Sequence, residues 1–146
     1  MFEGGAGNDT LNGGGGYDTY KFAPGLGQSV INNLASDGSN PKGEIDFSAG
    51  INHNALWFQR SGNDLQIDLL GTNSDVTISG WYGNNSRAQV QSISAGDGLK
   101  LDSQIGQLVS AMATYAANTP GFNPTQTAQM PQDQTLQNTI AAAWHS

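Results

Sequence analysis

The chain has 146 residues, with 12 acidic and 5 basic side chains, a net charge of −7, 36% hydrophobic and only 12% charged residues. Its bases (Lys21, Lys42, Arg60, Arg87 and Lys100) are scattered in the sequence rather than clustered for phosphate contacts, so no nucleic-acid partner is expected. It has no cysteine, hence no disulfide or thiolate metal site, and no apolar run of the ~18 residues a membrane-spanning helix needs, so no integral membrane segment is expected.

Glycine accounts for 20 residues, about twice the usual share, which argues for turns and close backbone approaches. Met1 is followed by Phe2, Glu3 and glycines, without the basic and apolar regions of a signal peptide, so any export address is expected elsewhere. A small extracellular domain without disulfides needs another staple, and a metal ion is the obvious one.

The first elements form a repeat. Gly4-Gly5-Ala6-Gly7-Asn8-Asp9-Thr10-Leu11-Asn12 is followed by Gly13-Gly14-Gly15-Gly16-Tyr17-Asp18-Thr19-Tyr20-Lys21. Both read G-G-x-G-x-D-x-U-x, where U is a large apolar residue. Met1-Phe2-Glu3 fits the end of an earlier unit. After Phe22 and Ala23, Pro24-Gly25-Leu26-Gly27-Gln28-Ser29-Val30-Ile31-Asn32 keeps the frame, with Ser29 for aspartate and Pro24 for the first glycine. In each unit the glycines let main-chain carbonyls turn inward and the aspartate adds a carboxylate. Such an all-oxygen set suits a hard cation such as Ca²⁺. The x-U-x part is a short strand with its apolar residue facing inward, and this nonapeptide is an established calcium repeat of parallel β-helical rolls.

Two nonapeptides make one turn of such a roll, so Asp9 is expected to face Ser29, and Asp18 something near Asp37-Gly38, or nothing. The expectation is one or two incomplete, weak sites. A Met1 directly before a broken repeat is what a piece of a longer roll would show.

From Lys42 the composition becomes ordinary. Glu44-Ile45-Asp46-Phe47 alternates as a half-buried strand does. Ala55 to Arg60 and Leu65 to Leu69 predict a hairpin around Ser61-Gly62-Asn63-Asp64, and Val76-Thr77-Ile78 predicts a third strand. Gly80-Trp81-Tyr82 follows. Val90 to Ile93 and Leu99 to Leu101 predict a second hairpin around Ala95-Gly96-Asp97-Gly98. Trp57, Phe58, Trp81 and Tyr82 read as core; the competing reading is an aromatic carbohydrate platform. A roll's open end is an exposed strand edge that would aggregate, so a capping unit has a physical purpose.

Beyond Ser103 there is no Lys or Arg, and Asp133 is the only acid. Ile105, Leu108, Val109, Met112, Tyr115 and Ala116 have helical spacing, with Asp102 or Ser103 as the cap. Thr119-Pro120-Gly121-Phe122-Asn123-Pro124 ends that helix. After a Gln/Thr-rich loop, Asp133 caps a second helix carrying Leu136, Ile140, Ala143 and Trp144. Both apolar stripes are expected to pack on the β part, the alternative being that they stay mobile for recognition.

No nucleophile or metalloprotease motif occurs. His53 reads as a lone surface histidine and His145 as a frayed terminal one. The carboxylate pairs Glu44/Asp46 and Asp64/Asp68 read as strand-face and turn acids rather than catalytic pairs. The chain is therefore expected not to be an enzyme.

Together "GGAGNDTLNGGGGYDTYKF", "WFQRSGNDLQIDLLGTNSDVTISGWY", "IGQLVSAMATY" and "TLQNTIAAAWHS" resemble the C-terminal end of repeats-in-toxin proteins, the haemolysin-type calcium-binding family of bacteria. Within that family the later stretches are most similar to the last repeat block and flank of adenylate cyclase toxins. The resemblance implies a mainly β fold. A short parallel β-roll of calcium-binding nonapeptides (1–41) would lead into a β-sandwich-like cap of hairpins (42–102). A helical flank (103–146) with two C-terminal helices would carry a non-cleaved type I secretion signal. It also implies export unfolded, then calcium-driven folding outside the cell with the flank as nucleus.

The implied calcium ligands are the carbonyls of Gly5, Gly7, Gly14 and Gly16 and the carboxylates of Asp9 and Asp18. The implied partners are calcium ions, the type I secretion machinery and upstream repeats of the parent protein, around a monomeric, secreted chain. The competing reading is an adhesin or carbohydrate-binding end module of a larger extracellular protein.

Overall fold

The structure is a computed structural model that describes residues 2–4, 9–12, 17–23, 27–32, 42–82, 90–102, 104–127 and 129–145. Its strands are β1 (Phe2–Gly4), β2 (Asp9–Asn12), β3 (Tyr17–Phe22), β4 (Gln28–Asn32), β5 (Lys42–Phe47), β6 (Leu56–Ser61), β7 (Asp64–Leu69), β8 (Asp75–Ile78), β9 (Ser92–Ser94) and β10 (Lys100–Leu101). Helices α1 (Ile105–Asn118) and α2 (Gln134–Ala143) follow. The protein is thus mainly β with two C-terminal helices.

The strands form two five-stranded sheets, ordered β1-β3-β5-β9-β10 and β2-β4-β8-β7-β6. The first five strands alternate between the sheets, so strands adjacent in sequence never pair there. All pairings among β1, β3, β5 and β9, and among β2, β4 and β8, are parallel. Phe2 lies opposite Tyr20, 18 positions on, which is two nonapeptides. Among the described strands, antiparallel pairing enters with the β6–β7–β8 meander and the β9–β10 hairpin. Both hairpins fall where the turn residues predict them. Trp81 and Tyr82 lie in a turn after β8 rather than in a strand.

Strand β5 pairs along its whole length with β3. The alternation expected of half-buried strands holds: β4 runs exposed, buried, exposed, buried, exposed. One core cluster collects the inward residues of both sheets, among them Tyr20, Phe22, Ile31, Ile45, Ile67 and Ile78, together with Leu108, Met112, Leu136 and Ile140 from the helices. The helical stripes are therefore packed, not mobile recognition faces. Ala116, at the end of the α1 stripe, is exposed.

Helix α2 starts as the sequence predicts, with the Asp133 carboxylate accepting from the Leu136 N–H at 2.9 Å. The start of α1 differs. Its N-cap is Gln104, which makes no side-chain cap bond. Ser103 lies outside the described residues, and Asp102 is turned to His145 instead, at 3.0 Å.

Two sheet edges are covered by the C-terminal part. Helix α1 lies along edge strand β6, where the Phe58 N–H donates to Met112 Sδ at 3.1 Å. On β10, Lys100 and His145 exchange main-chain hydrogen bonds of 2.7 and 3.0 Å. Trp144, beside it, is buried against Phe58 and His53.

The Ala95–Gly98 turn has a tight fit. The Gly96 N–H donates to the Ile51 carbonyl at 2.6 Å. A Cβ on Gly96 would collide with the main-chain carbonyls of Ser48 and Ile51. Gly98 holds φ at +90°, a conformation that L side chains rarely adopt. Gly96→Ala is therefore expected to destabilise the protein by about 1–3 kcal/mol, the usual cost of overpacking, seen as a lower urea midpoint. An unchanged midpoint would show that the Ser48–Ile51 loop can yield.

Candidate metal site

Register and alternation together position the repeat aspartates. In β2, Asp9 and Leu11 are half-buried while Thr10 and Asn12 are exposed. In β4, Ser29 and Ile31 are fully buried while Val30 is exposed. Asp9 lies directly opposite Ser29, and Leu11 opposite Ile31. Parallel neighbours in register point the same way, so Asp9 and Ser29 share the core face at the heads of adjacent strands. Asp9 facing Ser29 is the juxtaposition that two nonapeptides per turn predict.

Asp18 lies on the core face of β3 with Tyr20 and Phe22. Burial, and then the Asp18 charge, push the Tyr20 phenol up. Within the sheet Asp18 lies opposite Gly43; Asp37 and Gly38, named from the repeat, lie outside the described residues. The connection to β5 is longer than two units: Tyr20 pairs with Ile45, 25 positions on, so strict two-unit spacing is lost at β5.

Among the described residues, three side-chain oxygens are buried without a hydrogen-bond partner: Asp9 Oδ2, Asp18 Oδ2 and Ser29 Oγ. Buried polar oxygens are almost always paired, because leaving one unpaired costs on the order of 1–3 kcal/mol and more when it is charged. Two of the three belong to the carboxylates that end the G-G-x-G-x-D runs, and the third to the serine in the aspartate position of the next unit. This donor set is hard and oxygen-only, so the residues fit a Ca²⁺-type ion. Gly5, Gly7, Gly14 and Gly16 lie outside the described residues. Among the described residues no three His, Asp or Glu side chains converge.

The other candidate residues have structural partners. Trp57, Phe58 and Trp81 are all at most 5% exposed. Trp57 packs on Phe122 and Tyr115, with ring centroids 4.5 and 5.9 Å apart. Tyr82 lies under the Arg60 guanidinium, 4.5 Å from its ring centroid. Asp64 Oδ1 accepts from the Gly80 N–H at 2.8 Å and so fixes the turn after β8. Glu44 and Asp46 are on the outward face of β5, where Thr19 donates to Glu44 at 3.5 Å. Burial, and then neighbouring Glu44, push the Asp46 carboxyl up.

The histidines are neither lone nor frayed. His53 Nδ1 is 2.6 Å from Asp97 Oδ2. Burial by itself would raise the Asp97 carboxyl. The His53 ring and main-chain N–H groups and the Leu99 N–H outweigh it and hold Asp97 below the usual carboxylate range. His145 pairs with Asp102.

One acidic pair was hidden in the sequence. Asp68 and Asp75 are cross-strand neighbours on the outer face of β7 and β8. Asp68 is only 3% exposed, and its oxygens accept from Gln59 and Gln66 at 2.7 and 2.8 Å. Alternation marks Asp68 as outward and hence solvated. It is covered because Phe122 packs on its cross-strand neighbour Trp57 and the Pro124 carbonyl accepts from Gly71 at 2.9 Å.

No protein-family model matches the chain.

Burial, and then the Asp68 charge, push the Asp75 carboxyl up to about 6. A raised carboxyl favours the protonated folded state. Its contribution is therefore fully present below the unfolded value of about 3.9 and is lost as pH rises through about 6. Asp75→Asn should raise the melting temperature at pH 7 by on the order of 2–4 °C and leave it nearly unchanged at pH 4. Calorimetry across that range, without divalent ions, checks this; an equal shift at both pH values would contradict it.

Proposed function

We propose that this chain is a non-catalytic, calcium-binding C-terminal module of a secreted, extracellular protein of the repeats-in-toxin type. In this reading β1–β5 are the end of a parallel β-roll, the hairpins and helices cap it, and the helical flank carries a type I secretion signal. The observation that carries the proposal is the position of Asp9 and Asp18. Each ends a G-G-x-G-x-D run, lies inward at the head of a parallel strand, and holds one buried, unpaired carboxylate oxygen.

Asymmetry of the sheet edges supports the capping role. Helix α1 covers the β6 edge, and His145 is bridged to the β10 edge. The opposite edge strands, β1 and β2, belong to the repeat itself. Further nonapeptides of a parent protein would add to them in parallel. Burial of Trp57, Phe58 and Trp81 weighs against the carbohydrate platform, which needs exposed ring faces.

Extracellular calcium modules bind with Kd of roughly 10⁻⁴ to 10⁻³ M. At millimolar calcium, a site at the tight end stabilises the folded state by about 1.4 kcal/mol, and at submicromolar calcium by almost nothing. Such sites would keep the repeat loose inside a cell and order it outside.

Calcium titrated into EDTA-stripped protein should saturably shift the amide resonances of Asp9–Asn12 and Tyr17–Phe22, with magnesium far weaker. Asp9→Ala with Asp18→Ala should abolish the response. Silence of the wild-type chain up to about 10 mM calcium, beyond the weak end of such sites, would defeat the reading. The secretion element has a separate test. Beside a type I exporter, loss of residues 134–146 should end appearance of the chain in the medium, whereas Asp9→Ala should not.

A further inference from the structure

The inward column at the heads of the second sheet's strands changes character within a few residues. Asp9 in β2 lies opposite Ser29 in β4, Ser29 opposite Val76 in β8, and Val76 opposite Ile67 in β7. Ser29, Val76 and Ile67 are all 0% exposed. The column thus runs from carboxylate to hydroxyl to hydrocarbon. Asp9 Oδ2 and Ser29 Oγ are both buried and unpaired, on neighbouring strands, in register and on the same face.

A serine hydroxyl buried without a partner is worse placed than the alanine of nearly the same size, unless something engages the oxygen. We propose that Ser29 Oγ is a ligand to the cation bound at Asp9, and that Ser29 is the terminal donor of the ion column along this edge. The inference rests on the calcium reading above. A hydroxyl is a hard oxygen that calcium accepts, but it brings no charge, so this site is weaker than one with two facing carboxylates. The next member, Val76, has no donor, and the column ends there.

The other edge lacks this arrangement. Asp18 faces Gly43, which has no side chain, and beyond it the Gln91 Oε1 already accepts from the Gly43 N–H at 3.1 Å. Ser29 therefore serves the Asp9 position alone.

The test uses the full chain with calcium chloride as probe. Calorimetric titration, amide shifts of Asp9–Asn12 and Gln28–Asn32, and melting with and without calcium are read together. In the wild type both groups of amides should move with one midpoint. Ser29→Ala should weaken that event about 2- to 10-fold, the factor that one neutral hydrogen-bond-strength contact corresponds to. Without calcium the same variant should melt at the wild-type temperature or higher, because it removes an unpaired hydroxyl. Ser29→Asp should bind more tightly than Ser29→Ala.

Equal affinity of Ser29→Ala and wild type overturns the inference and leaves the calcium reading standing. So does Ser29→Asp binding no tighter than Ser29→Ala. A loss of stability in Ser29→Ala that is the same with and without calcium assigns the residue a packing role only and also overturns it. A wild-type chain that binds no calcium overturns both readings.

Discussion

Parallel, in-register pairing of alternate strands is the constraint on which the rest depends. Because β1 to β5 alternate between the sheets, each of them pairs with the strand next but one in sequence. Among the described residues, inward positions are then stacked on their counterparts: Leu11 opposite Ile31, Tyr20 opposite Ile45, Phe22 opposite Phe47. A large apolar residue at one point of the repeat therefore builds a continuous core, and an aspartate at another builds a column of oxygens. Apolar stacking stabilises by removing area from water. The oxygen column opposes it unless charge and unmet hydrogen bonds are offset. The same register thus stacks the core and puts the unpaired Asp9 and Ser29 oxygens on neighbouring strands.

Parallel strands also create an edge problem that grows with the repeat. An uncovered strand presents free N–H and C=O groups and is a template for pairing with other chains. In this protein the pairing turns antiparallel on the far side of both sheets, through the β6–β7–β8 meander and the β9–β10 hairpin. The helical flank then covers what remains. Met112 meets the β6 backbone, Trp144 is buried beside Phe58, and His145 bridges Lys100. Both histidines join this end of the molecule, with His53 held by Asp97 and His145 by Asp102. A segment with almost no charge of its own is thereby fastened by hydrogen bonds and burial rather than by ion pairs with lysine or arginine.

Much of this was legible because it is local or periodic. The nonapeptide sets the strand and the inward aspartate, and its two-unit period places Asp9 across from Ser29. Turn residues mark both hairpins, and Asp133 marks the start of α2. Readings failed where a distant segment decides. The repeat does not say that a longer connection brings Asp18 opposite Gly43. Nor does an acid near the start of α1 announce that it will bind a histidine 43 positions away instead of capping the helix. Period-two alternation treats Asp68 as solvated, yet it is buried because residues 122–124 fold over that face.

The amino-acid sequence by itself determined the oxygen-rich repeat, the absence of thiol chemistry, the mainly β class and the two amphipathic helices. These follow from residue type and from periods of two, nine and roughly 3.6 residues, which act over short distances. Only the tertiary structure decided which oxygens are buried without a partner, which sheet edges are covered, and which carboxylates share a low-dielectric neighbourhood. Those properties depend on segments tens of residues apart coming into contact. Burial and electrostatic coupling are set by what covers a group, and no local period encodes that.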